Sequence, residues 1–267
     1  MSRWKRSKRD AWAKDSAKAK APSTHGRPML RRLAWLGGLV GVLVAGLVFL
    51  FFYSAAFVVR DLSVTGVEGE LADSVEAHAQ IPHGRPLARV SQANVEARVL
   101  EDPRIASVEV IRDWPSGITL DAHPRKAALV LRQKDATWLA DTNGVVFDEV
   151  SEPSRKLPSV RVPEPPTEMS EETVRGLVEL WRLRPDPAEL EGRLGTPRLA
   201  SDGAVSMKVD QLTIVWGAPV EAERKWAVVK ALVGQDSIDP QGGIPQTIDV
   251  SIPETPVVTG LPEASQN

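Results

Sequence analysis

Twenty-seven consecutive residues, 33–59, carry no charge. An α-helix rises 1.5 Å per residue, so about 20 residues cross a hydrocarbon core of about 30 Å. The run is long enough to span with some tilt, and between 39 and 52 only glycine and alanine interrupt the large apolar side chains. Arg31 and Arg32 abut its start. Residues 1–32 hold eleven Lys or Arg against only Asp10 and Asp15, yet the whole chain nets −2, so everything after the run is acidic overall. The positive-inside rule then places residues 1–32 in the cytoplasm and the bulk of the chain outside it. Trp35 and Tyr53 stand near the two ends, where interfacial aromatics are expected. Ser54-Ala55-Ala56 supplies the small residues of a cleavable signal, but a signal core runs about 7–15 apolar residues and this one is longer. The reading is an uncleaved anchor over 33–57: a single-pass type II protein of the inner (plasma) membrane, preceded by a disordered basic tail.

The residue inventory bounds the chemistry. There is no cysteine, so disulfides, thiolate metal sites and cysteine nucleophiles are excluded. His25, His78, His83 and His123 lack metal-ligand spacing, and no Gly-x-Ser-x-Gly, Ser-x-x-Lys or glycine-rich phosphate loop occurs. Glu168, Glu171 and Glu172 read as the acidic start of a helix rather than as an acid–base pair. The expectation is a protein without catalytic residues, metal, cofactor or small-molecule substrate. Trp4 and Trp12 among the tail's cations are open to a nucleic-acid or anionic-lipid reading. A disordered orientation signal accounts for them as well, and no nucleic-acid partner is expected. Gly37, Gly41 and Ala45 share a helical face on which another helix could pack. Arg85 and Arg89 are read as solvated charge, with phosphate headgroups as the alternative.

The chain after the anchor changes period several times. Residues 58–65 are extended in character and stop at Gly66; 70–80 reads as a helix; 81–86 is a breaker-rich loop. Ser91 is the N-cap of a helix over 92–101, with Val95, Val99 and Leu100 on one face, ended by Pro103. Residues 105–111 form a strand, Trp114-Pro115-Ser116-Gly117 a turn, and Ile118, Leu120 and Ala122 alternate along a returning strand. The order is β-α-α-β-β. Short strands come next at 128–131 and 137–140, joined through the Asn143-Gly144 turn to 145–147. After a proline-rich crossing, Ser170 caps a helix over 171–183 with Val174, Leu177, Val178 and Trp181 as its buried stripe. Strands at 198–200, 204–209 and 212–216 lead to a helix over 220–233 with Trp226, Val229 and Val233 at core spacing. A strand over 247–252 is stopped by Pro253.

A β-α-α-β-β unit directly behind a membrane helix resembles a polypeptide-transport-associated (POTRA) domain. The ordered pieces are similar to the FtsQ/DivIB family of bacterial cell-division proteins over residues 30–252. They are Leu62-x-Val64-x-Gly66, the 81–87 loop with Gly84, Asp102-Pro103-Arg104-Ile105-Ala106-Ser107-Val108, Val110-x-Arg112-x-Trp114-Pro115, Asp141-x-x-Gly144-x-x-Phe147 and Leu157-Pro158. The fold class expected is α+β: a transmembrane helix, a POTRA domain over 58–125, a mostly antiparallel β domain with flanking helices over 126–252, and a disordered tail over 253–267.

The strand order suggests one binding mechanism. A strand that comes last in the chain often lies at a sheet edge, where unpaired N–H and C=O groups can accept another chain's strand. That marks Thr247, Ile248, Asp249, Val250, Ser251 and Ile252 as candidate partner-binding residues, with the preceding helix, 218–234, as a secondary contact; alternate strand positions face the core. The resemblance implies that an FtsB/FtsL-type pair docks on this strand. It also implies that the POTRA domain meets other septal proteins, and that the whole is a scaffold linking early and late septal proteins and helping to control septal peptidoglycan synthesis. Two rivals stand beside it: an anchored POTRA protein handling exported polypeptides, and a cell-envelope enzyme.

Overall fold

The computed structural model describes residues 27–53, 57–134, 136–241 and 245–261. The basic tail with Trp4 and Trp12 therefore lies outside the described residues. Helix α1, Arg27–Tyr53, begins earlier than the sequence suggested, residues 54–56 of the expected anchor lie outside the described residues, and the helix contains a stretch, Arg32–Tyr53, long and apolar enough to cross a membrane. No residue of that stretch is fully buried against protein, and Phe51 near its end is half-buried.

Next comes a three-stranded sheet of order β1-β3-β2, built from β1 (Asp61–Thr65), β2 (Ile105–Asp113) and β3 (Gly117–Pro124). β1 runs parallel to β3, and β2 antiparallel. Helices α2 (Glu70–Ala79) and α3 (Gln92–Val99) join the same core, where Val75, Val95, Ile105, Ile118 and Leu120 are fully buried. The caps explain the helix bounds. Glu70 and Asp73 sit in the first turn of α2, the positive end of its dipole, and Gln80 adopts φ 47° at its C-cap. The Ser91 hydroxyl accepts the Asn94 N–H at 3.4 Å as the α3 N-cap. The expected β-α-α-β-β order holds, with one correction: α3 ends at Val99, and Leu100 is turned out, 45% exposed, rather than sharing the buried face.

The remaining strands make one nine-stranded sheet of order β12-β11-β10-β9-β8-β7-β4-β5-β6. Its members are β4 (Leu129–Gln133), β5 (Ala136–Ala140), β6 (Val146–Glu149), β7 (Ser159–Arg161), β8 (Arg198–Leu199), β9 (Val205–Val209), β10 (Leu212–Gly217), β11 (Thr247–Asp249) and β12 (Val257–Thr259). Most neighbours are antiparallel; β4–β7, β7–β8 and β10–β11 are parallel. Helices α4 (Glu171–Arg182) and α5 (Ala222–Val233) pack on one face. The Ser170 hydroxyl accepts the Thr173 N–H at 3.2 Å and caps α4. Trp226 of α5 donates its indole N–H to the Leu180 carbonyl of α4 at 2.9 Å and packs its ring 4.8 Å from that of Trp216 on β10, so one side chain joins both helices to the sheet. On α4 Val174, Leu177 and Leu180 are fully buried and Val178 nearly so; Trp181, expected on the stripe, is only partly buried at its margin, and Leu180 takes its place.

Two strands escape the sequence reading. β7 lies in the proline-rich crossing, between β4 and β8, and β12 lies in the stretch expected to be a disordered tail.

The two sheet-containing units meet at a polar joint. Arg125, just past β3, donates through Nη1 to Asp141 Oδ2 at 2.6 Å and through Nε and Nη2 to the carbonyls of Pro103 and Ile105 at 2.9 and 3.3 Å. Asp141 also accepts the N–H groups of Asn143 and Val145, each at 2.9 Å, and so holds the β5–β6 turn. In that turn Gly144 has φ 90° and abuts the α4 backbone, where a Cβ has no room.

Candidate partner-binding edge

The six candidate residues do not form one edge strand. Only Thr247, Ile248 and Asp249 are strand; the chain then turns through Ser251 and Ile252. β11 is also an internal strand. On one side it pairs in parallel with β10 (Thr213↔Thr247, Ile214↔Ile248, Val215↔Asp249). On the other it pairs antiparallel with β12 (Thr247↔Thr259, Ile248↔Val258, Asp249↔Val257). Its backbone is therefore already engaged, and the expectation of an open edge over 247–252 is corrected: β12 covers it and is itself the edge. The physical reason is a turn over 251–256 that brings a second short strand back alongside the first.

Each candidate side chain has a distinct setting. Ile248 and Val250 are fully buried in the core, and the Val250 N–H donates to the Val215 carbonyl at 2.9 Å. Thr247 and Asp249 are half-buried. Asp249 Oδ1 accepts both the backbone N–H and the hydroxyl of Ser251, at 2.9 and 2.5 Å, which shapes the exit from β11. Ile252 is 60% exposed. Beyond it, Val257 and Leu261 are also large, apolar and about half exposed, whereas Val258 packs inward. Glu254 in the intervening turn pairs with Arg224 of α5 at 2.6 Å, tying the turn to the helix expected as a secondary contact. Gly260, at φ 79°, lies so close to the Pro245 carbonyl that any Cβ would overlap it, so the chain past β12 stays against the start of β11.

This end of the sheet thus carries three unlike features side by side. It has an edge strand with its outer N–H and C=O groups unclaimed by a described strand. It has three exposed apolar side chains, Ile252, Val257 and Leu261. It also has a turn fixed by Asp249, Ser251, Arg224 and Glu254. That combination suits strand addition, in which backbone bonds supply affinity and alternating side chains supply selectivity.

One cluster has the residue types of a catalytic triad but not its geometry. Ser74, His78 and Asp102 lie together, yet the Ser74 hydroxyl donates to Asp102 Oδ2 at 2.6 Å and is only 3.3 Å from His78 Nδ1, which lies closer, 2.8 Å, to the Ser74 carbonyl. A nucleophile needs its hydroxyl on a base that is itself oriented by an acid; here the acid takes the hydroxyl directly. Asp102 is further gripped by Arg104 at 3.0 and 2.7 Å, and these bonds hold its carboxyl well below the usual range despite burial. The group is a structural clamp between α2 and the start of β2. Among the described residues, no three His, Cys, Asp or Glu are arranged to hold a metal ion.

A basic-tailed chain with one apolar helix, a β-α-α-β-β domain behind it and a mixed sheet whose last strand is open defines a class of membrane-anchored POTRA proteins. Comparison with known proteins narrows the class. Residues 57–121 match the family model described as POTRA domain, FtsQ-type. The chain is 32% identical over 206 residues to the cell division protein FtsQ of Streptomyces griseus, covering 75% of this chain and 96% of that protein. It is 30% identical over 224 residues to the cell division protein FtsQ of Streptomyces venezuelae, covering 82% and 80%. With the protein of the same name from Mycobacterium leprae it shares 29% over 245 residues, 91% of this chain and 68% of that one. The chain belongs to the FtsQ family of cell division proteins.

Proposed function

We propose that this cell-division protein is a scaffold of the septal assembly, inserted with its N-terminus in the cytoplasm and concentrated at the division septum. In this reading residues 1–32 are the cytoplasmic tail, 33–57 contain the anchor, 58–125 are the POTRA domain, 126–252 the body of the β domain, and the edge continues to Leu261. It links early and late septal proteins by contact rather than catalysis and helps to control septal peptidoglycan synthesis. The POTRA domain meets other septal proteins, and FtsB/FtsL-type partners add a strand at the C-terminal edge. The observation that carries the reading is the end of the sheet: a short edge strand, β12, flanked by the exposed apolar side chains of Ile252, Val257 and Leu261. The candidate residues Thr247, Ile248, Asp249, Val250, Ser251 and Ile252 then divide by role: Ile248 and Val250 hold the edge in place from the core, and Ile252 offers contact surface.

The test is a binding titration of the full chain in detergent against the extracytoplasmic segments of FtsB/FtsL-type partners. Val257→Pro, Val258→Pro and Thr259→Pro are compared singly, because proline removes one N–H and outward N–H groups alternate along a strand. At least one of the three loses about tenfold or more in affinity, about 1.4 kcal/mol, while circular dichroism shows the fold kept. Proline at Val250 is no test, since that N–H already serves the sheet. Undiminished binding in all three folded variants rules out strand addition at β12.

A further inference from the structure

The POTRA domain is held close to the end of the anchor by more than the covalent link. Val59 donates its N–H to the Arg85 carbonyl and accepts the Gly84 N–H, both at 2.9 Å, and Val58 bridges to Pro86. The chain at 57–59 is thus pinned to the 84–86 loop. Only four residue steps separate Phe57 from Tyr53, the last residue of α1, and four steps of extended chain reach at most about 14 Å. The rings close the remaining gap. Phe57 stacks on Phe51 of α1 with centroids 4.8 Å apart, and Trp114, at the tip of the β2–β3 turn, meets Phe51 and Phe57 edge-on at 5.6 and 5.8 Å. Arg89 places its guanidinium 4.5 Å above the Tyr53 ring.

The depth of these groups is set by the anchor. A 22-residue apolar stretch is about 33 Å long at 1.5 Å per residue, barely more than a hydrocarbon core of about 30 Å. Little of it can rise clear of the bilayer. Phe51 is two residues from its end, so a ring in contact with Phe51 stands at the boundary between acyl chains and headgroups. Trp114 is 49% exposed there. An indole, apolar in body with one N–H at its rim, partitions to that layer. Arg85 and Arg89 are exposed close by, and the Arg85 side chain has no hydrogen-bond or ionic partner among the described residues. Guanidinium groups at this height face lipid phosphates.

We infer that the POTRA domain docks on the phospholipid headgroup layer through the β2–β3 turn, with Trp114 as its anchor and Arg85 and Arg89 on lipid phosphates. The contact continues the Phe51–Phe57 cluster from inside the bilayer to the domain surface. It fixes which sides of the POTRA sheet remain free for protein partners. The inference rests on the reading of α1 as a membrane anchor.

The chain has no cysteine, so single-cysteine nitroxide labelling is clean. Full-length protein in phosphatidylcholine–phosphatidylglycerol nanodiscs is labelled at Ser116→Cys beside Trp114, at Val44→Cys in mid-α1, and at Ser201→Cys on the distant β8–β9 turn. Collisions with lipid-soluble oxygen are compared with those of a water-soluble nickel chelate. The Ser116 label gives an oxygen-to-chelate ratio several-fold above that of the Ser201 label. Trp114→Ser brings it down to the Ser201 value, and Trp114→Tyr, which keeps an interfacial aromatic, does not. Equal ratios at 116 and 201 with the 44 label in lipid overturn the docking alone; an aqueous 44 label overturns the anchor reading itself. A 116 label shielded from both reagents means that protein, not lipid, covers the turn, and overturns the proposal too. A ratio unchanged by Trp114→Ser in a protein that unfolds at the wild-type temperature overturns the assignment to Trp114.

Discussion

Removing the Arg125–Asp141 pair uncouples the POTRA unit from the β domain. The pair is nearly inaccessible, with side-chain exposures of 16% and 6%, so solvent screens it little. Asp141→Ala removes the charged bond at 2.6 Å and also strands the Asn143 and Val145 N–H groups and a guanidinium held between two POTRA carbonyls. Breaking one partner of such a buried pair costs about 3–5 kcal/mol. Asp141→Asn keeps an acceptor for the turn and loses only the charge, a cost of about 1–3 kcal/mol. The assay is urea unfolding of the full chain in detergent for wild type, Arg125→Ala, Asp141→Ala and the double variant. The cycle yields a coupling of about 1.5–3 kcal/mol. pH supplies an independent arm. Burial pushes the Asp141 carboxyl up, but the Arg125 bond and the two turn N–H groups outweigh it and hold the carboxyl below its ordinary range. A carboxylate with a depressed folded value contributes stability that is fully present above the unfolded value of about 3.9 and lost as pH falls through the folded one. The gap between wild type and Asp141→Asn is therefore constant near neutrality and narrows on acidification below about pH 4. A coupling under about 0.5 kcal/mol, the limit for independent sites, refutes the view that this pair joins the two units.

Two further substitutions probe the β domain. Gly176 of α4 faces Pro219, and a Cβ there would overlap the Pro219 carbonyl, so Gly176→Ala costs about 1–3 kcal/mol by overpacking despite alanine's better helix propensity; urea midpoints equal to or above wild type mean that the two segments are not in contact. Arg161 stands in register between Arg132 and Arg198 on neighbouring strands, three cations without a carboxylate partner among the described residues. Like charges directly opposite destabilise a sheet, so Arg161→Gln raises stability by about 0.5 kcal/mol at low salt, and the gain shrinks as salt shortens the Debye length. A loss of stability at low salt contradicts that reading of the ladder.

The features legible in the sequence are local. The uncharged run, the Ser91 and Ser170 caps, the Asn143-Gly144 turn and the alternation of Ile118, Leu120 and Ala122 are each decided by neighbours within a few residues, and all are where their chemistry places them. The hidden features depend on distant partners. β7 is three residues long among prolines and becomes a strand because β4 and β8 lie on either side. β12 is Val257-Val258-Thr259, too short to show a period, and becomes a strand because the Asp249–Ser251 and Arg224–Glu254 contacts turn the chain back on β11. Leu100 carries the apolar character of a core residue and keeps helical backbone at the α3 C-cap, its N–H on the Glu96 carbonyl, but one residue on from Val99 the helix turns it about 100° off the buried face. The candidate edge failed for the same reason. Whether a strand is last in sequence is local knowledge, whereas whether it is last in the sheet depends on the path of the chain after the turn. Edge strands are selected to be short and poorly patterned, because long regular ones pair indiscriminately. The feature that makes β12 safe as a free edge is therefore the one that concealed it. In a chain of this kind the free edge strand is to be sought among the segments with the weakest strand signal, just beyond the last one that reads clearly.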